Sequence, residues 1–365
     1  MRLIRRMVVF AGLAAASGGA WATLCADALS DYFGFPEGSP SRTLLLSNHP
    51  ECFPGSWGNI ITQINGTSFE HATAISRAVT NRWFSDAPGP RAGLGPTGMA
   101  AGGAAKRWSF WGNVSSNDTR QNYTTIVGNT SRSEMDVRNY VFGADWLYRP
   151  GLVFGVSLGI DRGSGQGTNS GSGDLNDQDT DGYTVAPYLG WQISKTLSFD
   201  ASAGYGTGEL RSSGGGLNST AQSDRWFAAA NLNYETWRGN WQFSGKASLL
   251  HGVEKYEDSV TTFQPEAGTA AKNTLDQLRL GVQAGYWMNG FMPYASLGYM
   301  NDFTRKTTQD AMPGDPFGKS AWFWSVGVNF FSLAGGINGG IAYKQEESRD
   351  NQKHRNLVLN IGFRY

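Results

Sequence analysis

Residues 356–365 place Leu357, Leu359, Ile361, Phe363 and Tyr365 on one side of an extended strand, and Asn356, Asn360, Gly362 and Arg364 on the other. Successive side chains of a strand point to opposite faces, so this spacing predicts a two-faced strand. The same period of two runs back through the chain to Lys106. Trp108, Phe110 and Val114 share a face, as do Tyr140, Phe142, Ala144 and Trp146. Leu152, Phe154, Val156, Leu158 and Ile160 repeat the pattern, followed by Tyr183, Val185, Leu189 and Trp191 and then by Leu197, Phe199 and Tyr205. Trp226, Leu232 and Tyr234 make the next set, and Trp241, Phe243 and Leu249 the one after. Four further segments, opening near Leu278, Phe291, Trp322 and Ile337, precede the terminal one, which makes about twelve strands.

No side chain on these apolar faces is charged, whereas the opposite faces carry Asp145, Asp200, Glu235, Lys246 and Arg279 among Asn, Gln and Gly. A basic residue facing lipid at mid-bilayer costs about 2–4 kcal/mol, so a lipid-facing wall demands this exclusion. A soluble sandwich shows the same alternation with its apolar side turned inward, and the period alone does not separate the two. The connections do. Tight turns at 149–151, 194–196, 237–240, 288–290 and 332–335 alternate with long polar stretches at 117–134, 162–180, 211–224, 255–273, 305–320 and 345–354. Aromatics gather near strand ends at Trp146, Trp191, Trp226, Trp241, Tyr286 and Trp322. Short inner turns, long outer loops and interfacial aromatic girdles predict an all-β, transmembrane antiparallel β-barrel over 106–365. Asp145, Asp200, Glu235, Lys246 and Arg279 are then expected to face its lumen.

Ahead of the barrel, Arg2, Arg5 and Arg6 precede an apolar run and Ala20-Trp-Ala22, which reads as a signal peptide over 1–22. No later apolar run reaches the ~18 residues of a membrane helix. Residues 23–66 are Pro-, Gly- and Ser-rich and are expected to be irregular. Thr67 and Glu70 have the spacing of a capping box at a helix start. A helix of about four turns is predicted from Phe69 to Phe84, with a Gly/Pro/Ala linker to 105. Phe69, Ala72, Ile75, Arg77 and Arg82 would let this helix plug a narrow lumen, the arginines reaching Asp145, Asp200 or Glu235. Cys25 and Cys52 suggest one disulfide in an oxidising compartment.

The composition agrees with this layout. There are 49 Gly, 13% aromatic and only 16% charged residues, with a net charge of zero. Such a chain is unlike a disordered one and has no basic excess to hold nucleic acid. No cofactor or metal motif is evident. His251, at the outer end of its strand, is a candidate for a rim hydrolase with Ser248, Glu254 and Asp258 as neighbours. Asp174, Asp177, Asp179 and Asp181 read either as a Ca²⁺-recruiting loop or as a solvated acidic one.

In its helix-then-barrel order, its Leu152-Val-Phe-Gly-Val-Ser-Leu-Gly159 and Asp181-Gly-Tyr-Thr-Val-Ala-Pro-Tyr-Leu-Gly-Trp191 strands, and its terminal Leu359 to Tyr365, the sequence resembles the autotransporter translocator domain of type V secretion. The resemblance covers Phe69 to Tyr365. It implies a twelve-stranded barrel threaded by one helix, in the outer membrane of a Gram-negative bacterium, with a secreted passenger upstream and no enzymatic activity. The terminal strand, with Leu357, Leu359, Ile361, Phe363 and Tyr365, would be the signal read by the barrel-assembly machinery. Periplasmic chaperones and outer-membrane lipid are the other partners implied. The upstream stretch is short for the family, so residues 23–66 are either a minimal exported segment or part of a stand-alone barrel. A porin-like or surface-adhesion barrel acting through its outer loops, with an unknown ligand, is the alternative.

Overall fold

The computed structural model describes residues 41, 58–84, 107–124, 130–169, 175–214, 217–261, 270–307, 317–331 and 337–365. The signal peptide, the possible Cys25–Cys52 disulfide, the linker and Asp174 lie outside the described residues. A helix, α1 (Gly58–Phe84), precedes twelve long strands. These are β1 (Trp108–Thr124), β2 (Thr130–Arg149), β3 (Leu152–Asn169), β4 (Leu175–Gln192), β5 (Leu197–Gly214), β6 (Leu217–Arg238), β7 (Trp241–Tyr256), β8 (Ala271–Tyr286), β9 (Phe291–Thr307), β10 (Ser320–Phe331), β11 (Ile337–Glu347) and β12 (Gln352–Arg364). A two-residue piece, Val260–Thr261, adds to β6.

Each strand pairs antiparallel with the next, and β12 pairs back onto β1 from Ser109↔Arg364 to Gln121↔Gln352. The sheet is therefore a closed antiparallel β-barrel of twelve strands, whose ladders satisfy the backbone amides and carbonyls within the wall that lipid cannot. Alternation sets its two faces. Phe110, Phe142, Val156, Leu158, Leu249, Val282, Leu297, Val326 and Leu359 are exposed outward, while Asn113, Asp145, Asp161, Asp200, Asn231, Gln277 and Asn360 are buried inside. A water-soluble fold would reverse that order.

The strands are longer than the hydrophobic pattern predicts. Most of 117–134, 162–180 and 211–224 is not loop: β1 and β2 stay paired through Thr124↔Thr130, β3 and β4 through Thr168↔Leu175, and β5 and β6 through Gly214↔Leu217. Beyond the apolar band both faces meet water or polar lumen, so the alternation disappears while the backbone ladder continues. The opposite end has tight turns. At 289–290, Asn289 (φ 45°) and Gly290 (φ 101°) both take positive φ, the geometry a two-residue hairpin favours.

The helix also begins earlier than expected. It starts at Gly58 and not at Thr67, so residues 58–66 are helical rather than irregular. Thr67 sits in mid-helix, buried, and its hydroxyl has no hydrogen-bond partner among the described residues. A capping box competes only for free amides at a helix end, and here the preceding turns already supply the carbonyls. At ~1.5 Å per residue α1 is about 40 Å long, enough to traverse a hydrocarbon layer of ~30 Å.

Candidate functional site: the lumen around the helix

Two stripes of α1 meet two kinds of wall. Ala72, Ile75 and Val79 follow helical spacing, and together with Ala74 they are buried against Trp111, Val141, Ala186, Tyr188, Phe227, Ala229, Leu250 and Leu275. These wall residues occupy the lumen-facing register yet are apolar, so a small dry core lies inside the barrel against β1–β8. Glycine makes the close approach possible. A Cβ at Gly190 would lie 2.5 Å from Val79 and 2.9 Å from Val153, and one at Gly159 would lie 2.6 Å from the His71 ring.

Polar anchors flank that core. Arg82 pairs with Asp145 with both groups buried, and donates to the Arg107 carbonyl at 2.9 Å. Asp145 also accepts from the Tyr188 hydroxyl at 3.1 Å, which in turn accepts from Trp111 Nε1 at 2.7 Å. Arg364 of β12 donates to the Asn81 carbonyl at 2.6 Å and so satisfies one acceptor in the last turn of α1. Higher up, Ser76 donates to Asp200 at 2.8 Å, Asn231 and Asn233 fill the rest of that carboxylate, and Lys246 donates to Ser76 at 2.7 Å. His71 Nε2 lies 2.8 Å from Ser157 Oγ, whose proton goes to the Ala186 carbonyl at 3.1 Å.

These contacts fix the direction of the helix. Arg82 and Asn81 sit where β1 begins and β12 ends, at the tight-turn end. Val79 meets Gly190 close to the 193–196 turn, Ser76 meets Asp200 near the start of β5, and His71 meets Ser157 further up β3. The contacts climb the wall as residue number falls, so the start of α1 points to the end where the strands are extended.

The sequence-derived candidates divide accordingly. Of the two arginines, Arg82 reaches a carboxylate, and Arg77 pairs with none among the described residues; its Nη1 is buried without a partner. Asp200 holds Ser76 instead of an arginine. Glu235 accepts from Trp237 Nε1 at 3.0 Å near the 239–240 turn. Arg279 lies over the Phe69 ring, 3.2 Å from its centroid, and donates to Gln277 at 2.5 Å. Leu357, Leu359, Ile361, Phe363 and Tyr365 are all exposed outward, on β12 and just past its end, along the seam with β1. Trp111, Tyr188, His71, Ser76 and Ser157 were not anticipated. For Trp111 and Tyr188 the available signal was a large aromatic on the polar register of β1 and β4.

The rim candidates do not assemble. His251 faces outward, 2.5 Å from Asp276 and with its ring tilted 49° to that of Trp226 at a centroid distance of 4.8 Å. Ser248 and Glu254 are buried on the lumen face, where Glu254 accompanies Arg225 and Ser223. An odd and an even position on one strand cannot share a site, whatever their nearness in sequence. Asp258 accepts the Ala270 amide at 2.8 Å. Asp181 is engaged by Arg162 and Arg211.

A closed barrel with an oily exterior, a polar interior and a helix seated in that interior defines a translocator-like transmembrane β-barrel. The sequence profile of the autotransporter beta-domain matches residues 110–344, more than half of the chain. The chain belongs to the autotransporter β-domain family. Among solved structures it is similar to the translocator domain of the autotransporter NalP from Neisseria meningitidis, with 11% identity and a TM-score of 0.57 over 82% of this chain and 98% of that one. It is likewise similar to the transport unit of the autotransporter AIDA-I from Escherichia coli, with 14% identity and a TM-score of 0.55 over 81% and 99%. The β-domain of the Bordetella autotransporter BrkA gives 14% identity and a TM-score of 0.51 over 71% and 100%. Compared by sequence with curated proteins, the chain has no significant match.

Proposed function

We propose that the chain works as a type V translocator in the outer membrane of a Gram-negative bacterium, where the barrel anchors α1 in the lumen and the segment upstream of the helix leaves through the extended-strand mouth. The direction of the helix carries this reading. Its last turn is held at the tight-turn end by Asp145 and Arg364, and its start points to the other end. Bacterial barrels keep tight turns in the periplasm and put longer elements outside. Chain preceding Gly58 therefore emerges on the cell surface, which favours an exported segment over a stand-alone barrel. The role is mechanical and non-enzymatic. On the same reading, lipid surrounds the outward faces of β1–β12, while the barrel-assembly machinery and periplasmic chaperones handle the unfolded chain through the apolar face that ends at Phe363 and Tyr365.

Labelling on intact cells tests the export step. A single cysteine introduced at Ser41, in a chain whose Cys25 and Cys52 are replaced by Ser, is expected to react with a membrane-impermeant maleimide without cell lysis. Reaction only after lysis would overturn the reading and leave a barrel whose upstream segment is periplasmic.

A further inference from the structure

The helix does not fill the lumen. Its buried stripe packs on apolar wall residues of β1–β8, and its other stripe, including Phe69, Glu70, Thr73 and Arg77, borders a cavity of about 270 Å³ walled by β6–β12. With ~10–15 Å³ of such volume per water, this space holds on the order of twenty waters. It runs from Trp237 and Phe331 at the tight-turn end to Phe69 and Lys344 in mid-barrel.

Its lining is unbalanced in charge. Arg77, Lys246, Arg279 and Lys344 face it, against the carboxylates of Glu70 and Glu235. Outside the lining, Glu346 stands 3.7 Å from both Arg279 and Lys344, and Asp200 reaches Lys246 only through Ser76. Among the described residues Arg77 Nη1 and the Nη1 of the otherwise paired Arg279 have no hydrogen-bond partner, and Arg279 as a whole is 7% exposed. Four cationic side chains bordering one water-sized cavity draw small anions into it. Low-dielectric walls strengthen the attraction by focusing the field along the cavity.

We propose that this side of the lumen is an anion-selective aqueous lane, in which small hydrated anions such as chloride or inorganic phosphate are attracted by Arg77, Arg279, Lys246 and Lys344. The inference stands on the cavity and its charges and holds whether or not the upstream segment is exported. An uncharged or acid-lined gap beside the helix would pass cations at least as readily.

Reversal potentials of the full chain in planar bilayers, measured under a tenfold KCl gradient, test it. Chloride is expected to permeate several-fold better than potassium. Arg77→Gln, which touches none of the anchors of α1, should bring the ratio toward one, and Arg77→Gln combined with Lys344→Gln further still. Replacing KCl by potassium phosphate should lower the current while keeping the sign of the potential. Protease protection of α1 in each variant reports that the helix is still seated. Cation selectivity, a ratio unmoved by both variants with α1 protected, or no conductance above that of the bare bilayer would each overturn the proposal.

Discussion

The two sides of the lumen handle the same helix differently. Toward the apolar wall, Ile75 and Val79 are fully buried, packed by apolar side chains and glycine. Toward the cavity walled by β6–β12, Arg77 and Thr73 border water-sized space. Van der Waals contact and hydrophobic burial need a close wall, whereas a charged group needs partners or water. The helix is therefore held from one side and left hydrated on the other, which resolves the opposing demands on a segment that must be anchored in a lumen also built for passage.

The sharpest way to break this asymmetry is to remove one member of the buried anchor. Arg82→Ala leaves the Asp145 carboxylate without its cation in a dry site, and a loss of about 3–5 kcal/mol is expected. Denaturant unfolding in detergent micelles checks this, with protease sensitivity of α1 as a second readout. Arg82→Gln combined with Asp145→Asn should recover a large part of that loss. Ile75→Ala should cost about 2–4 kcal/mol by opening a cavity against the wall. Thr73→Ala, on the hydrated stripe, should stay within ~0.5 kcal/mol. Equal costs at the two positions would abolish the comparison. Gly190→Val tests the close approach itself: overpacking against Val79 and Val153 should cost about 1–3 kcal/mol, partly relieved by adding Val79→Ala. A small effect is also expected at the ion pairs beyond the apolar band. Arg211 and Asp181 are roughly half exposed, so Arg211→Ala should cost less than ~1 kcal/mol, and the effect should shrink further in high salt.

Much of the wall was legible without coordinates. Leu152 to Ile160 and Leu357 to Tyr365 alternate cleanly because the membrane tolerates no charge on their outer face, so each residue in the band reports its own direction. The same rule failed where the membrane ends. Asn122↔Arg132 and Gln166↔Asp177 are ladder pairs whose side chains give no apolar signal, and they read as loop. The grouping of His251 with Ser248 and Glu254 fails for a different reason: strand parity places His251 outside and the other two in the lumen, however near they lie along the chain.

The fold class, the number of strands and the polarity of each face followed from the sequence, because lipid imposes a one-dimensional constraint that every strand must meet separately. The start of α1 at Gly58, the choice of Arg82 over Arg77 as the partner of Asp145, and the open lane beside the helix did not. Each depends on which side chains from distant strands arrive at the same height around the closed ring. Barrel closure through β1 and β12, and the seating of the helix against one side of it, set those distances.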